Sequence, residues 1–409
     1  MSQGPFGGMR PLADVITLDE ARARLQAVVR PVTSCEMVPL HEAAGRVLGV
    51  DVVSPFDVPG FDRAAMDGYA VRSCDVRDAT SASPVVLTLA GISRPGSLPD
   101  ETCVAGTCIA IATGAPVPAG ADAVVMVERT RRDDDRVAVF DAAGAGHHIS
   151  PRGHDVAAGA HVLAAGSLLT PGRVGLLASL GLAQVAVRIR PQVVIVSSGD
   201  ELLMPGEPPV PGRIYDSNRF TLEAICRDHG AATRCVPRVE DDVTAWHRAL
   251  DAAADADLLV CSGGSSAGER DVLVDVVSAR GEIVFHGIAV KPGKPTLCGR
   301  IGTQLVLGMP GNPTSCLSNA YVLLIPLLRA LAGLPPYEPE IRQATLTRAV
   351  TSPANRLQFY QVRLQDDEAV PVFKGSGDIT SLAEADGYIQ VPIGVERLEP
   401  GTRVAVVRY

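Results

Sequence analysis

The chain has 409 residues, 46% of them apolar and 20% charged, and a formal net charge of −9. That composition excludes a disordered chain, and the length exceeds what one ordinary core spans, so three or four domains are expected. An acidic balance with no basic block argues against bulk nucleic-acid binding, and any anionic ligand must be held by local devices against the overall charge.

In chain order, residues 11–50 read as helical. Thr17 or Asp19 caps a helix through Val29, stopped by Pro31, and a second short helix covers about 40–50. Residues 54–149 change to short β-branched runs between Gly/Pro turns, a small β domain. Its charged run 129–136 reads as a solvated hairpin turn. Residues 171–182 are apolar at helical spacing, with Thr170 as N-cap and Gly181 near the end. Residues 191–335 alternate strands (193–197, 234–239, 258–261, 283–290, 305–307) with helices (about 218–228, 242–254, 271–279 and the apolar stretch after Pro313). Such alternation with nearly all-apolar strands implies a parallel sheet covered on both faces. From about 337 short alternating strands return, as a small β-barrel or sandwich.

The nine cysteines are odd in number and lack any Cys-x-x-Cys, so they read as buried free thiols of a reducing compartment. The Gly-rich start has no apolar h-region, and the stretch 321–334 is interrupted by Pro326 and Arg329. Neither a signal peptide nor a membrane span is expected, and the protein is placed in the cytoplasm. His147, His148, His154 and His161 fit no metal signature and read as surface residues.

Of the 37 basic residues only three are lysine, and two of these, Lys291 and Lys294, flank a Pro-Gly turn. Arg and Lys differ where a compact ammonium must fit a site, so the pair points to such a site; chance retention on a surface turn is the alternative. Four polar or Gly-rich segments each follow an expected strand: Ser198-Gly199-Asp200-Glu201, residues 262–268, residues 291–294, and Met309-Pro310-Gly311-Asn312-Pro313. In an open parallel sheet such loops share the edge where ligands bind. The 262–268 loop precedes a helix, whose free N–H groups attract phosphate. It is neither a Walker A loop nor a GxGxxG fingerprint. Asp200, Glu201, Asp216, Asp241 and Asp271 share this edge, and carboxylates beside phosphate call for a bridging cation such as Mg²⁺. Asp216 and Asp241 read equally well as helix caps, which leaves Asp271 as the better metal candidate.

Several segments together resemble the MoeA/gephyrin E-domain family, the molybdopterin molybdenumtransferases. They are residues 61–70 (Phe61-Asp62, then Ala65-Met66-Asp67-Gly68-Tyr69-Ala70), Thr113-Gly114-Ala115-Pro116-Val117-Pro118, Ser198-Gly199-Asp200-Glu201-Leu202, Tyr215-Asp216 with Asn218, Ser262-Gly263-Gly264, Lys291 to Lys294, and Pro310-Gly311-Asn312-Pro313. The resemblance runs from about residue 11 to 409 and implies a multidomain α/β plus β fold. An elongated helical or mixed domain covers 11–53 and 150–190, an inserted β domain 54–149, a central parallel-sheet α/β molybdopterin-binding domain 191–336, and a C-terminal β-barrel 337–409. It implies a homodimer that combines the α/β domain of one copy with the inserted domain of the other. The implied reaction takes adenylyl-molybdopterin and molybdate, depends on Mg²⁺, inserts molybdenum and releases AMP. Molybdopterin adenylyltransferase would act upstream.

Carried over by position, the family's acids fall on Asp62, Asp155, Glu201, Asp241 and Asp271, its threonine on Thr113, its lysines on Lys291 and Lys294, and its serines on Ser315 and Ser376. On this reading Ser262, Gly263, Gly264, Ser266, Gly268, Pro310, Gly311 and Asn312 hold nucleotide and phosphates. Asp271, with Asp200 or Glu201, holds Mg²⁺, while Lys294, Ser315 and Ser376 cradle molybdate. Two positions depart from the family pattern. Gly287 stands where many members carry lysine, and Gln361 where many carry arginine; Arg363 would share a strand face with the latter. The departures leave open a paralogue with altered anion preference. The alternatives are the preceding adenylylation step, against which the full length argues, and a non-catalytic molybdopterin-binding scaffold, against which the lack of an interaction tail argues.

Overall fold

The computed structural model describes residues 15–240, 242–263 and 272–409. The described chain divides into two compact units, one of residues 37–44 and 48–186, the other of residues 15–36, 45–47 and 187–409. Helix α1 (Leu18–Val28) starts where the Thr17 hydroxyl accepts the Glu20 N–H at 3.1 Å. It buries Leu18, Ala21 and Leu25 in the core of the larger unit. The second helix expected over 40–50 is only a 3-10 turn, Leu40–Glu42; Gly45, at φ +77°, breaks the helical backbone.

The smaller unit is built on a curled six-stranded sheet. Its strands are β1 (Gly68–Val71), β2 (Val85–Ser93), β3 (Thr107–Ile111), β4 (Ala123–Met126), β5 (Thr130–Asp133) and β6 (Arg136–Val139), in the order β4-β1-β3-β2-β6-β5. All neighbours are antiparallel except β2 and β3. Val71, Leu87, Cys108, Val125, Val137 and Val139 form its core. Gly68 is required because a Cβ there would lie 1.9 Å from the Val125 carbonyl oxygen. The charged run is indeed a hairpin, β5–β6, turning at Asp134 (φ +51°). Helix α2 (Pro171–Ser179) has Thr170 as N-cap and proline in its first turn.

The larger unit continues with β7 (Gln192–Ser197), α3 (Asn218–Asp228), β8 (Ala232–Cys235), α4 (Val243–Ala252), β9 (Leu258–Ser262), α5 (Val272–Arg280), β10 (Glu282–His286), β11 (Leu297–Ile301), β12 (Gln304–Met309), α6 (Pro313–Asn319) and α7 (Ile325–Ala332). A π-turn, Ala320–Leu324, joins α6 to α7. The sheet order is β8-β7-β9-β12-β11-β10. The first four strands are parallel, but β11 pairs antiparallel with β12 on one side and with β10 on the other, so the expected all-parallel sheet is mixed. The expected strand over 283–290 stops at His286 because Gly287 takes φ +96°. Val290–Lys291 then leaves this sheet and pairs with the next one. Strand β8 is shorter than expected, ending ahead of Pro237, which has no N–H to give.

Strands β13 (Ile341–Leu346), β14 (Leu357–Gln365), β15 (Glu368–Pro371), β16 (Gly387–Val391) and β17 (Arg403–Arg408) close as β14-β15-β13-β17-β16-β14, a five-stranded barrel. Ala344, Leu346, Val362, Ala369, Ile389 and Val406 fill it. Phe359, Tyr388 and Val407 instead join the α/β core, which docks the barrel beside α6. The helical stretch Pro313–Ala332 is long and apolar enough to cross a membrane, but it is 72% buried and serves as core. All nine cysteines are free; Cys35 and Cys74 are exposed, unlike the buried thiols expected.

Candidate functional site

A cavity of about 1170 Å³ opens in the larger unit at the carboxyl ends of the parallel strands. The glycine turns after β9 and β12, the lysine turn and the barrel loop around Ser376 all line it. Packing explains why these turns carry glycine. Gly263 has φ +86°, and a Cβ there would lie 2.3 Å from the Ser198 carbonyl oxygen. A Cβ on Gly311 would already touch the Gly263 Cα at 3.7 Å. Asn218, at the start of α3, ties the two turns together. Its Nδ2 donates to Ser262 Oγ at 2.8 Å and to the Gly311 carbonyl at 2.7 Å. The preceding Asp216 is buried, lines the cavity and accepts the Arg219 N–H at 3.1 Å, so it both supports the first turn of α3 and belongs to the cavity wall.

The lysine turn is fixed from beneath. Buried Asn319 donates through Nδ2 to the Gly293 carbonyl at 2.9 Å and to Thr296 Oγ1 at 2.6 Å, and that hydroxyl donates to the same carbonyl at 2.8 Å. Gly293 has φ +107°, and a Cβ there would strike the Asn319 amide at 2.5 Å. Lys291 is exposed and Lys294 half-buried, and neither forms an ion pair with a described residue. The third lysine, by contrast, is tied down: Lys374 Nζ donates to Thr380 Oγ1 at 2.7 Å. Across the cavity Asn312 Nδ2 donates to Ser376 Oγ at 3.0 Å, and Thr314 Oγ1 donates to the Ser376 carbonyl at 2.8 Å. These bonds latch the barrel loop onto the start of α6.

The cavity therefore gathers Glu201, Ser262, Gly263, Lys291, Lys294, Pro310, Gly311, Asn312, Ser315 and Ser376 from the residues expected in the site. Asp200 is exposed and does not line it. Asp241, Gly264, Ser266, Gly268 and Asp271 lie outside the described residues. Among the described residues no three His, Cys, Asp or Glu side chains cluster to hold a metal. A Mg²⁺ ion keeps several waters and needs only one or two carboxylates plus substrate phosphates, a set that Glu201 on the cavity wall fits.

The two family departures turn out to be local packing features. Gly287 is buried at positive φ, where a long side chain would be strained. Gln361 is fully buried, donating through Nε2 to Ser318 Oγ at 3.0 Å, and does not line the cavity; neither does exposed Arg363. Asn319, Thr296, Arg356 and Phe373 were not anticipated as site or supporting residues. Asn218 stood in a quoted motif without a role.

Asp62, Thr113 and Asp155 belong to the smaller unit, where loops 57–67, 113–118 and 151–158 interleave. Asp62 Oδ1 accepts the Arg152 N–H at 2.7 Å, Asp67 Oδ1 accepts the Thr113 N–H at 2.7 Å, and Arg63 Nη2 lies 3.4 Å from Asp155 Oδ2. All three expected residues are exposed. Neighbouring Asp57 is held below the usual carboxylate range by the Ala158 N–H and then the Arg152 guanidinium.

Comparisons with known proteins agree with this anatomy. Residues 16–181 match the model of the MoeA N-terminal region (domain I and II), 194–330 that of a probable molybdopterin binding domain, and 343–409 that of the MoeA C-terminal region (domain IV). The chain is 41% identical to a Mycobacterium tuberculosis protein named molybdopterin molybdenumtransferase 2, over 94% of this chain and 96% of that one. It is 35% identical to the Haemophilus influenzae molybdopterin molybdenumtransferase, over 92% and 94%. A solved MoeA protein from Pyrococcus horikoshii superposes with a TM-score of 0.82 at 29% identity, covering 97% of this chain and 100% of that one. With three successive models matched and relatives aligned from end to end, the chain belongs to the MoeA family.

Proposed function

We propose that this protein inserts molybdenum from molybdate into adenylyl-molybdopterin and releases AMP, a step of molybdenum cofactor biosynthesis in the cytoplasm. The observation that carries the reading is that Lys291 and Lys294, neither in an ion pair with a described residue, line one large cavity together with two closely packed glycine turns. The volume, about 1170 Å³, exceeds what a drug-sized ligand needs and suits a substrate with both a pterin and a nucleotide end. Backbone at Gly263 and Gly311 can approach phosphate closely because no side chain stands in the way. Lys291 and Lys294 offset the charge of oxyanions, and the hydroxyls of Ser315 and Ser376 supply directional donors. The step balances without a redox change: water attacks the AMP–pterin phosphoanhydride, AMP leaves with its phosphate and the pterin keeps its own, while two Mo–S bonds form as the two dithiolene thiol protons and one molybdate oxide leave as water.

Mg²⁺ would be held by Glu201 together with Asp271, which lies outside the described residues; when bound it offsets phosphate charge. Asp62, Thr113 and Asp155 contribute from the smaller unit, and the proposal includes a homodimer, since the family resemblance joins the two kinds of surface across two copies. The test is to incubate purified protein with adenylyl-molybdopterin, Mg²⁺ and molybdate. Molybdate-dependent AMP release is expected. Its absence, with the substrate shown to bind, would remove the reading and leave a binding scaffold.

A further inference from the structure

We infer that Phe373 is a stacking platform that holds the pterin ring of the substrate at the lysine end of the cavity and so selects a pterin-bearing ligand. The inference deepens the proposed function and rests on reading the cavity as the adenylyl-molybdopterin site. Ammonium and hydroxyl groups answer charge and oxygen atoms, so they do not separate a pterin from other anions. A flat heterocycle is distinguished by an apolar face of matching shape. Among the described residues that line the cavity, two are aromatic, Tyr215 and Phe373.

These two differ in place and in commitment. Tyr215 stands just before Asp216 and Asn218, on the side of the glycine turns that Asn218 ties together. Its hydroxyl is already engaged, donating to the Glu207 carbonyl at 2.8 Å. Phe373 follows β15 and leads into the barrel loop of Ser376. Its ring meets that of Tyr360 at 5.2 Å between centroids, with the planes 74° apart. Tyr360 lies on β14 two residues beyond Gln358, the ladder partner of Lys291. Residues two apart share one face of a strand. The ring contact therefore sets Phe373 against the strand with which the lysine turn pairs.

The platform is in place before any ligand arrives. The Val372 N–H donates to the Gln361 carbonyl at 3.0 Å, which fixes the backbone just ahead of Phe373, and the edge contact with Tyr360 restrains the ring. A phenyl side chain turns about only two bonds, so ordering it costs little entropy. Phe373 is half-buried, so part of a ring without any polar atom stays in water, and a stacked heterocycle removes that surface. The order of groups along the wall matches the order of groups in the substrate. Lys294, Ser315 and Ser376 meet molybdate at the dithiolene, the glycine turns meet the AMP phosphate, and the pterin ring adjoins the dithiolene. Phe373 shares its loop with Ser376, which assigns it to the pterin rather than to adenine.

The experiment is calorimetric titration of the full-length chain with adenylyl-molybdopterin, AMP and molybdate as separate probes, the first in the absence of molybdate. Phe373→Ala should weaken adenylyl-molybdopterin binding about tenfold, or about 1.4 kcal/mol, and leave AMP and molybdate bound as by the parent. Phe373→Leu should stay weakened, since it keeps bulk without the aromatic face, and Phe373→Tyr should recover. In turnover the KM for adenylyl-molybdopterin should rise by the same factor while that for molybdate holds, a split that a merely structural role does not give. Melting without ligand checks the fold, and the leucine variant replaces the alanine one if that one unfolds. Unchanged binding of adenylyl-molybdopterin by Phe373→Ala or by Phe373→Leu overturns the inference. Equal loss of AMP binding assigns the ring to adenine, and loss of molybdate binding shows a displaced Ser376 loop; either overturns it too. A parent chain that binds adenylyl-molybdopterin without releasing AMP sinks the proposed function and leaves the inference standing, whereas one that does not bind it sinks both.

Discussion

The two units carry their expected site residues in opposite ways. In the larger one the polar groups around the cavity are interlocked by buried side chains from distant parts of the chain. Asn319 holds the lysine turn, Asn218 holds both glycine turns, and Thr314 holds the barrel loop. In the smaller one Asp62, Thr113 and Asp155 stand exposed on loops that backbone N–H groups and surface ion pairs tie together. The difference teaches that a charge placed by tertiary packing can be aimed before the ligand arrives, while an exposed acid is aimed only by what later covers it.

The largest expected effect lies at the aimed charge. Lys294→Ala should lower turnover by roughly 10²–10³-fold, the loss typical of one donor to a developing oxyanion, with no change in melting. A parallel fall in stability would show that the lysine supports the fold instead. Next comes the support. Asn319→Ala leaves the Gly293 carbonyl and Thr296 with fewer partners in a dry site, so unfolding free energy should drop by about 2 kcal/mol and turnover with it. Urea denaturation reads the first effect and AMP release the second.

Alkali sharpens the comparison. Burial pushes Cys226 and Cys298 of the larger unit, and Cys108 of the smaller, from 9.0 up to about 12, and raises Cys261 and Cys316 as well. A raised folded value means stability that is whole below pH 9.0 and is lost as pH climbs toward 12. Each such thiol removes about 1.4 kcal/mol per pH unit across that window. With more raised thiols, the larger unit should lose hydrogen-exchange protection first as pH rises. The smallest expected stability effect is at Asp62→Ala, which should shift unfolding by no more than about 0.5 kcal/mol while turnover falls. If the smaller unit melts instead, its acids are structural and the contrast between the units is broken.

Much of the fold was legible in short-range signals. Thr17 and Thr170 each occupy the cap position, Pro171 opens its helix, and the charged run turns at Asp134. The turns after β9 and β12 and the lysine turn could be placed at one edge from strand alternation alone, and they line one cavity. What could not be read was how strands pair. The run 283–290 looks continuous by composition, yet Gly287 splits it between two sheets, and β11 pairs antiparallel where alternation suggested a parallel neighbour. The role of Gln361 was equally hidden, because its burial depends on Ser318 in another element.

From sequence alone came the residue types that oxyanion chemistry needs, and glycines where backbones must come close, because those demands act on single residues and their immediate neighbours. Tertiary structure alone decided which of these groups share a wall. Asn319 meets Gly293 across 26 positions and Asn218 meets Gly311 across 93, and Arg356 joins the lysines only through the ladder that the closed barrel presents. Contacts of that reach depend on the packing of whole elements, so no local pattern in the chain encodes them.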